Sequence, residues 1–188
     1  MQEDVAVVRA MRQAAGDEMA IMADYNQSLT PAEAVGRLRV LDGEGLTWVE
    51  EPTLAHDYTG HALVAREAQT PIQCGENWWG TLDMLHAIEA QASDFLMPDV
   101  MKIGGVSGWL RAASLAHAKS LPVSSHLWPE VSARLLCCTP TAHWLEYADW
   151  WNPIVTQPLR IENGMAILDD SVGTGIEWTE DAVSRFAA

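Results

Sequence analysis

Ile21-Met22-Ala23-Asp24-Tyr25-Asn26-Gln27-Ser28 is a short apolar run that ends on an acid and gives way to a polar loop. The pattern recurs along the chain. Thr47-Trp48-Val49-Glu50 ends on Glu50, Pro71-Ile72-Gln73-Cys74-Gly75-Glu76 on Glu76, and Phe95-Leu96-Met97-Pro98-Asp99 on Asp99. Val123-Ser124-Ser125-His126 ends on His126, and His143-Trp144-Leu145-Glu146 on Glu146. The terminal residues are 26, 26, 23, 27 and 20 positions apart. A repeat of about 25 residues is the room that one strand, one helix and two loops require. Apolar strands that each carry an ionisable group at the C-terminal end are the layout of an active site on a (β/α) barrel. The expected class is α/β: a partial TIM-type (β/α) barrel of about six βα units, with a C-terminal tail.

The segments between the strands support this reading. Residues 3–15 carry Val5, Val8 and Met11 at helical spacing, with Gly16 placed to end the helix. Thr30-Pro31-Ala32-Glu33 is a helix start: a capping hydroxyl, a first-turn proline and a glutamate three residues after the cap. Further helices are expected at residues 57–68 and 81–92, after Gly104-Gly105, and at residues 130–138. After Glu146 the rhythm stops. Residues 157–161 and 165–168 read as a hairpin around Asn163-Gly164, and residues 179–186 as a terminal helix. The division expected is a catalytic partial barrel over residues 1–149 and a tail over residues 150–188.

A closed barrel of this type takes eight strands and usually about 250 residues. Six parallel strands leave two unpaired edges. The expectation is that these 188 residues are the C-terminal portion of a longer protein, or pair with another chain.

The formal net charge of -15 disfavours a phosphate backbone as partner, so nucleic-acid binding is not expected. No apolar run reaches the ~18 residues of a membrane span. The start, Met1-Gln2-Glu3-Asp4, does not read as a signal peptide, so a cytoplasmic location is expected. Cys74 lies in an apolar strand and Cys137-Cys138 at an apolar helix end, which points to reduced core thiols.

Asp24, Glu50 and Glu76 end three consecutive strands. Neighbouring parallel strands lie ~4.8 Å apart, so these carboxylates should converge within a few ångströms. Three such anions call for a cation, and an oxygen-only donor set with open positions suits Mg2+. Asp99 and His126 follow on adjacent strands. A carboxylate beside an imidazole fixes its tautomer and stabilises the imidazolium, which makes a general base near neutral pH. The other histidines, His56, His61, His86, His117 and His143, read as structural. Glu146, shielded by Trp128 or Trp144, would have a raised pKa and donate a proton or a strong hydrogen bond. The set suits abstraction of a weakly acidic proton next to a carboxylate, with metal and acid stabilising the enediolate.

Six motifs occur in order: Asp24-Tyr25-Asn26-Gln27-Ser28, Glu50-Glu51-Pro52-Thr53, Gly75-Glu76-Asn77-Trp78, Pro98-Asp99 with Met101-Lys102-Ile103-Gly104-Gly105, Ser124-Ser125-His126 and Trp144-Leu145-Glu146. Together they closely resemble the mandelate racemase subgroup of the enolase superfamily over essentially the whole chain. The resemblance implies Asp24, Glu50 and Glu76 as Mg2+ ligands, His126 with Asp99 as the base for one enantiomer, and Glu146 as the electrophilic acid. It also implies Asn26 and Lys102 near the metal or the intermediate, with a structural role equally open for Lys102. Relatives of this kind carry a Lys-x-Lys pair on the second barrel strand and an N-terminal capping domain, and neither is in these residues. They also assemble as homo-oligomers.

The leading expectation is a Mg2+-dependent racemase acting on a mandelate-like 2-hydroxy carboxylate, with Trp78, Trp79 and Trp128 in the top loops suggesting an apolar or aromatic substrate over a polyol. The alternatives are an acid-sugar dehydratase using the same residues, and a non-catalytic remnant or interaction partner.

Overall fold

A computed structural model describes residues 2–187. α1 (Gln2–Ala15) leads into β1 (Ala23–Asp24). Four βα repeats then follow: α2 (Pro31–Leu41) with β2 (Val49–Glu50), α3 (Tyr58–Glu67) with β3 (Ile72–Cys74), α4 (Gly80–Ala90) with β4 (Phe95–Leu96), and α5 (Gly105–Ala118) with β5 (Val123–Ser125). α6 (Pro129–Cys137) and β6 (Ala142–Leu145) complete the series. The six strands form one parallel sheet in the order β1-β2-β3-β4-β5-β6, a partial (β/α) barrel. The tail holds an antiparallel hairpin of β7 (Arg160–Glu162) and β8 (Met165–Ile167), then α7 (Glu180–Phe186).

Local chemistry accounts for the element boundaries. Thr30 caps α2 in a full capping box: the Glu33 N–H donates to the Thr30 hydroxyl, and the Thr30 N–H donates to Glu33 Oε2 at 2.9 Å. The Asp57 carboxylate caps α3 by accepting from Gly60 N at 2.8 Å. Gly75 ends β3 with φ +146, where an added Cβ would sit 2.8 Å from the Met97 backbone. Only glycine lets the two chains approach this closely while the turn presents Glu76.

Alternation along the short strands sorts the side chains. Val49, Ile72 and Leu96 join the core between sheet and helices, together with Leu38, Val64, Met84, Ile103 and Trp109. The opposite face carries the polar and aromatic positions. Glu50 pairs in register with Gln73, whose amide donates to Glu50 Oε2 at 3.0 Å. Trp48 meets Phe95, His143 and Trp144 with ring centroids 5.9–6.2 Å apart. The tail docks on α6. Arg134 donates to Asp169 Oδ1 at 2.6 Å and Ser171 Oγ at 2.7 Å, and Trp151 stacks on Trp128 at 5.2 Å.

Two expectations need correction. Cys74 is buried, but Cys137 and Cys138, at the C-terminal end of α6, are exposed, between buried Leu135 and Thr139. Trp78 lies in the loop after β3 but is buried against the apolar core at 2% exposure, while Trp79 is 72% exposed. Trp78 therefore presents little surface to a substrate.

Candidate active site

The C-terminal ends of the strands bring the expected groups to one rim. Asp24 pairs in register with Glu50. Asp99 and His126 face each other in a single parallel bridge. His126 Nδ1 lies 2.7 Å from Asp99 Oδ2, and its Nε2 lies 3.3 Å from Glu76 Oε2. Asp99 is buried, and its Oδ1 accepts from the backbone N–H groups of Met101 at 2.7 Å and Lys102 at 3.1 Å. Those bonds lock the carboxylate on the imidazole.

Electrostatics follow from this packing. Burial works against charge on His126, but the hydrogen bond it donates to Asp99 and the negative charges of Glu76, Glu146 and Asp99 outweigh it, so its pKa is raised. Burial likewise opposes the charge on Asp99, yet its bonds to His126 and to the two backbone donors hold its pKa below the usual value. Glu146 Oε2 accepts from Leu127 N at 2.5 Å, and the Glu146 N–H donates to Ser125 Oγ at 3.1 Å. Trp128 and Trp144 pack on Trp151 and Trp48 respectively.

The three carboxylates do not converge as strand spacing alone suggests. Among the described residues, no group of three or more His, Cys, Asp or Glu side chains is gathered as a metal-holding cluster. Each acid is held by a nearer donor. Asp24 Oδ1 accepts from Asn26 N at 2.7 Å, and Glu50 Oε2 from Trp48 Nε1 at 3.2 Å and from Gln73. Glu76 Oε1 accepts from Asn77 Nδ2 at 2.9 Å. Strand spacing places the backbones, whereas mutual repulsion and local donors choose the rotamers.

The donor set nonetheless suits a hard divalent cation in its chemistry. It is oxygen-only, and it stands on consecutive strand ends. Glu50 is pushed up to about 7, chiefly by burial, with the charges of Asp24 and Glu76 adding to the rise. A cation held there would relieve that stress.

Sequence reasoning gave no role to Glu51 or Asn77. Glu51 is fully buried and pushed up to about 7, first by burial, although its bond from Asn77 opposes the rise. Consecutive strand residues normally face opposite sides. Glu51 escapes that rule through a φ of +33, which turns both acids of Glu50-Glu51 inward. Asn77 Nδ2 donates to Glu51 Oε2 at 2.7 Å, and Lys102 Nζ donates to Asn77 Oδ1 at 2.8 Å. Lys102 is thus tied to the carboxylate cluster through Asn77, while Asn26 is exposed in the loop after β1.

Residues 1–182 match the family model described as "Enolase C-terminal domain-like". L-talarate/galactarate dehydratase of Salmonella typhimurium is 34% identical over 96% of this chain and 45% of its own length. D-galactarolactone cycloisomerase of Agrobacterium fabrum is 30% identical over 99% of this chain and 54% of its own. The crystal structure of an enolase from Bradyrhizobium, complexed with magnesium and mandelic acid, superposes with a TM-score of 0.93 at 47% identity. That match covers 97% of this chain and 50% of the other. The chain spans about half the length of the proteins it matches. With the sheet order, the strand-end acids and a family match over nearly its whole length, the chain belongs to the enolase C-terminal domain-like family.

Proposed function

We infer that this chain is the catalytic half of an enzyme that abstracts the α-proton of a small 2-hydroxy carboxylate, acting as a racemase of mandelate-like acids. The observation that carries the reading is the His126–Asp99 pair, set at 2.7 Å on neighbouring strand ends beside the carboxylate rim. Asp99 orients the imidazole through Nδ1, so Nε2 is the atom that takes or returns the proton. Glu146, whose negative charge acts on the same imidazole, serves as the acid. Asp24, Glu50 and Glu76 are the residues that would hold Mg2+. When bound, that ion supplies positive charge to the substrate carboxylate as negative charge builds up. A racemase needs a second base, which the rest of the enzyme must contribute. Residues 1–149 carry the chemistry in this reading, and residues 150–188 form an appendage.

The mandelic acid bound by the Bradyrhizobium relative supports the racemase. A dehydratase of acid sugars is the second reading, favoured by the 34% identical Salmonella enzyme. There His126 would return its proton to a departing hydroxyl. The test is proton NMR of the whole protein with Mg2+ in D2O. Exchange at the α-carbon of either mandelate enantiomer is expected under the racemase reading, and 2-keto products from acid sugars under the dehydratase reading. Absence of both would overturn α-proton abstraction.

A further inference from the structure

Asn77 sits between a cation and two anions. Its Oδ1 accepts from Lys102 Nζ at 2.8 Å, and its Nδ2 donates to Glu51 Oε2 at 2.7 Å and to Glu76 Oε1 at 2.9 Å. An ammonium group has donors only. It therefore dictates which way the amide faces, and both amide hydrogens are left for the two carboxylates. Glu51, fully buried with its Oε1 unpartnered, cannot turn away to water. It anchors the far side of the amide. Glu76 is thereby held by one oxygen on Asn77 while the other faces His126 Nε2 at 3.3 Å.

We propose that Lys102, Asn77 and Glu51 form a positioning relay that fixes the carboxylate of Glu76 and so sets the affinity of the rim for a divalent cation. The proposal rests on the reading of Asp24, Glu50 and Glu76 as cation ligands. It assigns Lys102 a role through Asn77 rather than through contact with substrate. All three relay residues are positioning residues: they leave the reacting atoms to His126 and act on a ligand that they orient. Partners that orient ligands typically contribute about 10- to 100-fold to metal affinity.

The sign of the effect separates the relay from simple electrostatics. Lys102 is a positive charge near the proposed cation site. If it acted only as a charge, Lys102→Met would tighten cation binding, because like charges repel. The relay requires the opposite: the amide of Asn77 loses its orientation, Glu76 loses its hold, and binding weakens.

The experiment is Mn2+ titration of the full chain followed by EPR, with circular dichroism to confirm that each variant is folded. Lys102→Met and Asn77→Leu should each weaken Mn2+ binding about 10-fold or more. The double variant should be no weaker than either single one, since both break the same chain of bonds. Lys102→Arg, which still donates to Asn77 Oδ1, should recover most of the affinity. Unchanged or tighter binding in Lys102→Met, with normal binding by the wild type, would overturn the relay alone. No Mn2+ binding by the wild type would overturn the cation reading and the relay with it.

Discussion

His126 Nδ1 and Asp99 Oδ2, on neighbouring strand ends, are 2.7 Å apart, and two backbone N–H groups hold the carboxylate in place from the other side. This arrangement presents Nε2 to the rim in one tautomer. Asp99→Asn keeps the shape, but the Met101 and Lys102 N–H groups hold the amide oxygen, so the NH2 group faces Nδ1, makes it an acceptor and puts the imidazole proton on Nε2. Isotope exchange at the substrate α-carbon should fall about 100-fold or more, the usual scale for a compromised general base. Exchange at the wild-type rate would detach Asp99 from the chemistry.

Cation binding should stabilise the protein as well as activate it. Glu50 is pushed up to about 7 by burial and by its acidic neighbours, so the folded rim carries unrelieved repulsion. A ligand that binds only the folded state adds about 2.7 kcal/mol at a hundredfold excess over its Kd. Mg2+ should therefore raise the melting temperature of the wild type, and chelator should reverse the gain. Glu50→Gln should show little response to either. A Mg2+-dependent rise of equal size in Glu50→Gln would place the cation elsewhere.

The turn that delivers Glu76 depends on Gly75. At φ +146, with the Met97 backbone 2.8 Å from any added Cβ, alanine must move two strands apart. Gly75→Ala should cost about 2–4 kcal/mol in urea unfolding. Gly36 in α2 is the control, since nothing lies within 4 Å of a Cβ there. Gly36→Ala should stabilise the helix by about 0.5–1 kcal/mol. Equal effects at the two glycines would remove the argument from close approach.

The strand ends were legible in the sequence because hydropathy changes abruptly at each one. Asp24, Glu50, Glu76, Asp99, His126 and Glu146 terminate apolar runs, and the capping box at Thr30 marks its helix without ambiguity. What the sequence hides is set by single dihedral angles and rotamers. Glu50-Glu51-Pro52 reads as an acid followed by a turn, and only a φ of +33 at Glu51 brings the second acid inward. Trp78 and Trp79 are neighbours of identical type, yet one is core and the other is surface. The spacing of strands is regular, but the direction of a carboxylate depends on which donor is nearest. The directions of the Asp24, Glu50 and Glu76 carboxylates are therefore the part least readable from residue order.

Arg134 ties the tail to the barrel. Its guanidinium reaches the Asp169 carboxylate, the Ser171 hydroxyl and the Thr174 carbonyl, at 2.6, 2.7 and 3.3 Å. Residues 169–174 therefore depend on one side chain of α6. Arg134→Ala should expose this loop to limited proteolysis while the melting temperature of the barrel changes little. Lysine at this position cannot reproduce the fork of donors, so Arg134→Lys should also be cleaved faster than wild type. Cleavage at the wild-type rate in both variants would show that the stack of Trp151 on Trp128 holds the tail without Arg134.

His61 gives the fold a pH dependence of known sign. It lies in α3 at 1% exposure, with Nδ1 3.5 Å from Thr53 Oγ1 and Nε2 without a hydrogen-bond partner. Burial holds its pKa below the usual 6.5, although the Asp57 backbone bond and charge oppose the shift. The unfolded chain therefore takes up a proton at a pH where the folded chain does not. Stability is complete above about 6.5 and is lost as pH falls from there toward the folded value, at up to about 1.4 kcal/mol per pH unit. His61→Leu removes this dependence. Urea unfolding at pH 7.5 and pH 5.5 should show wild type losing stability relative to the variant at the lower pH. Comparing the two proteins cancels the opposite contributions of Glu50 and Glu51, whose raised pKa values favour the folded state at low pH. A difference between wild type and variant that stays constant across that range would mean that His61 is accessible to protons in the folded state.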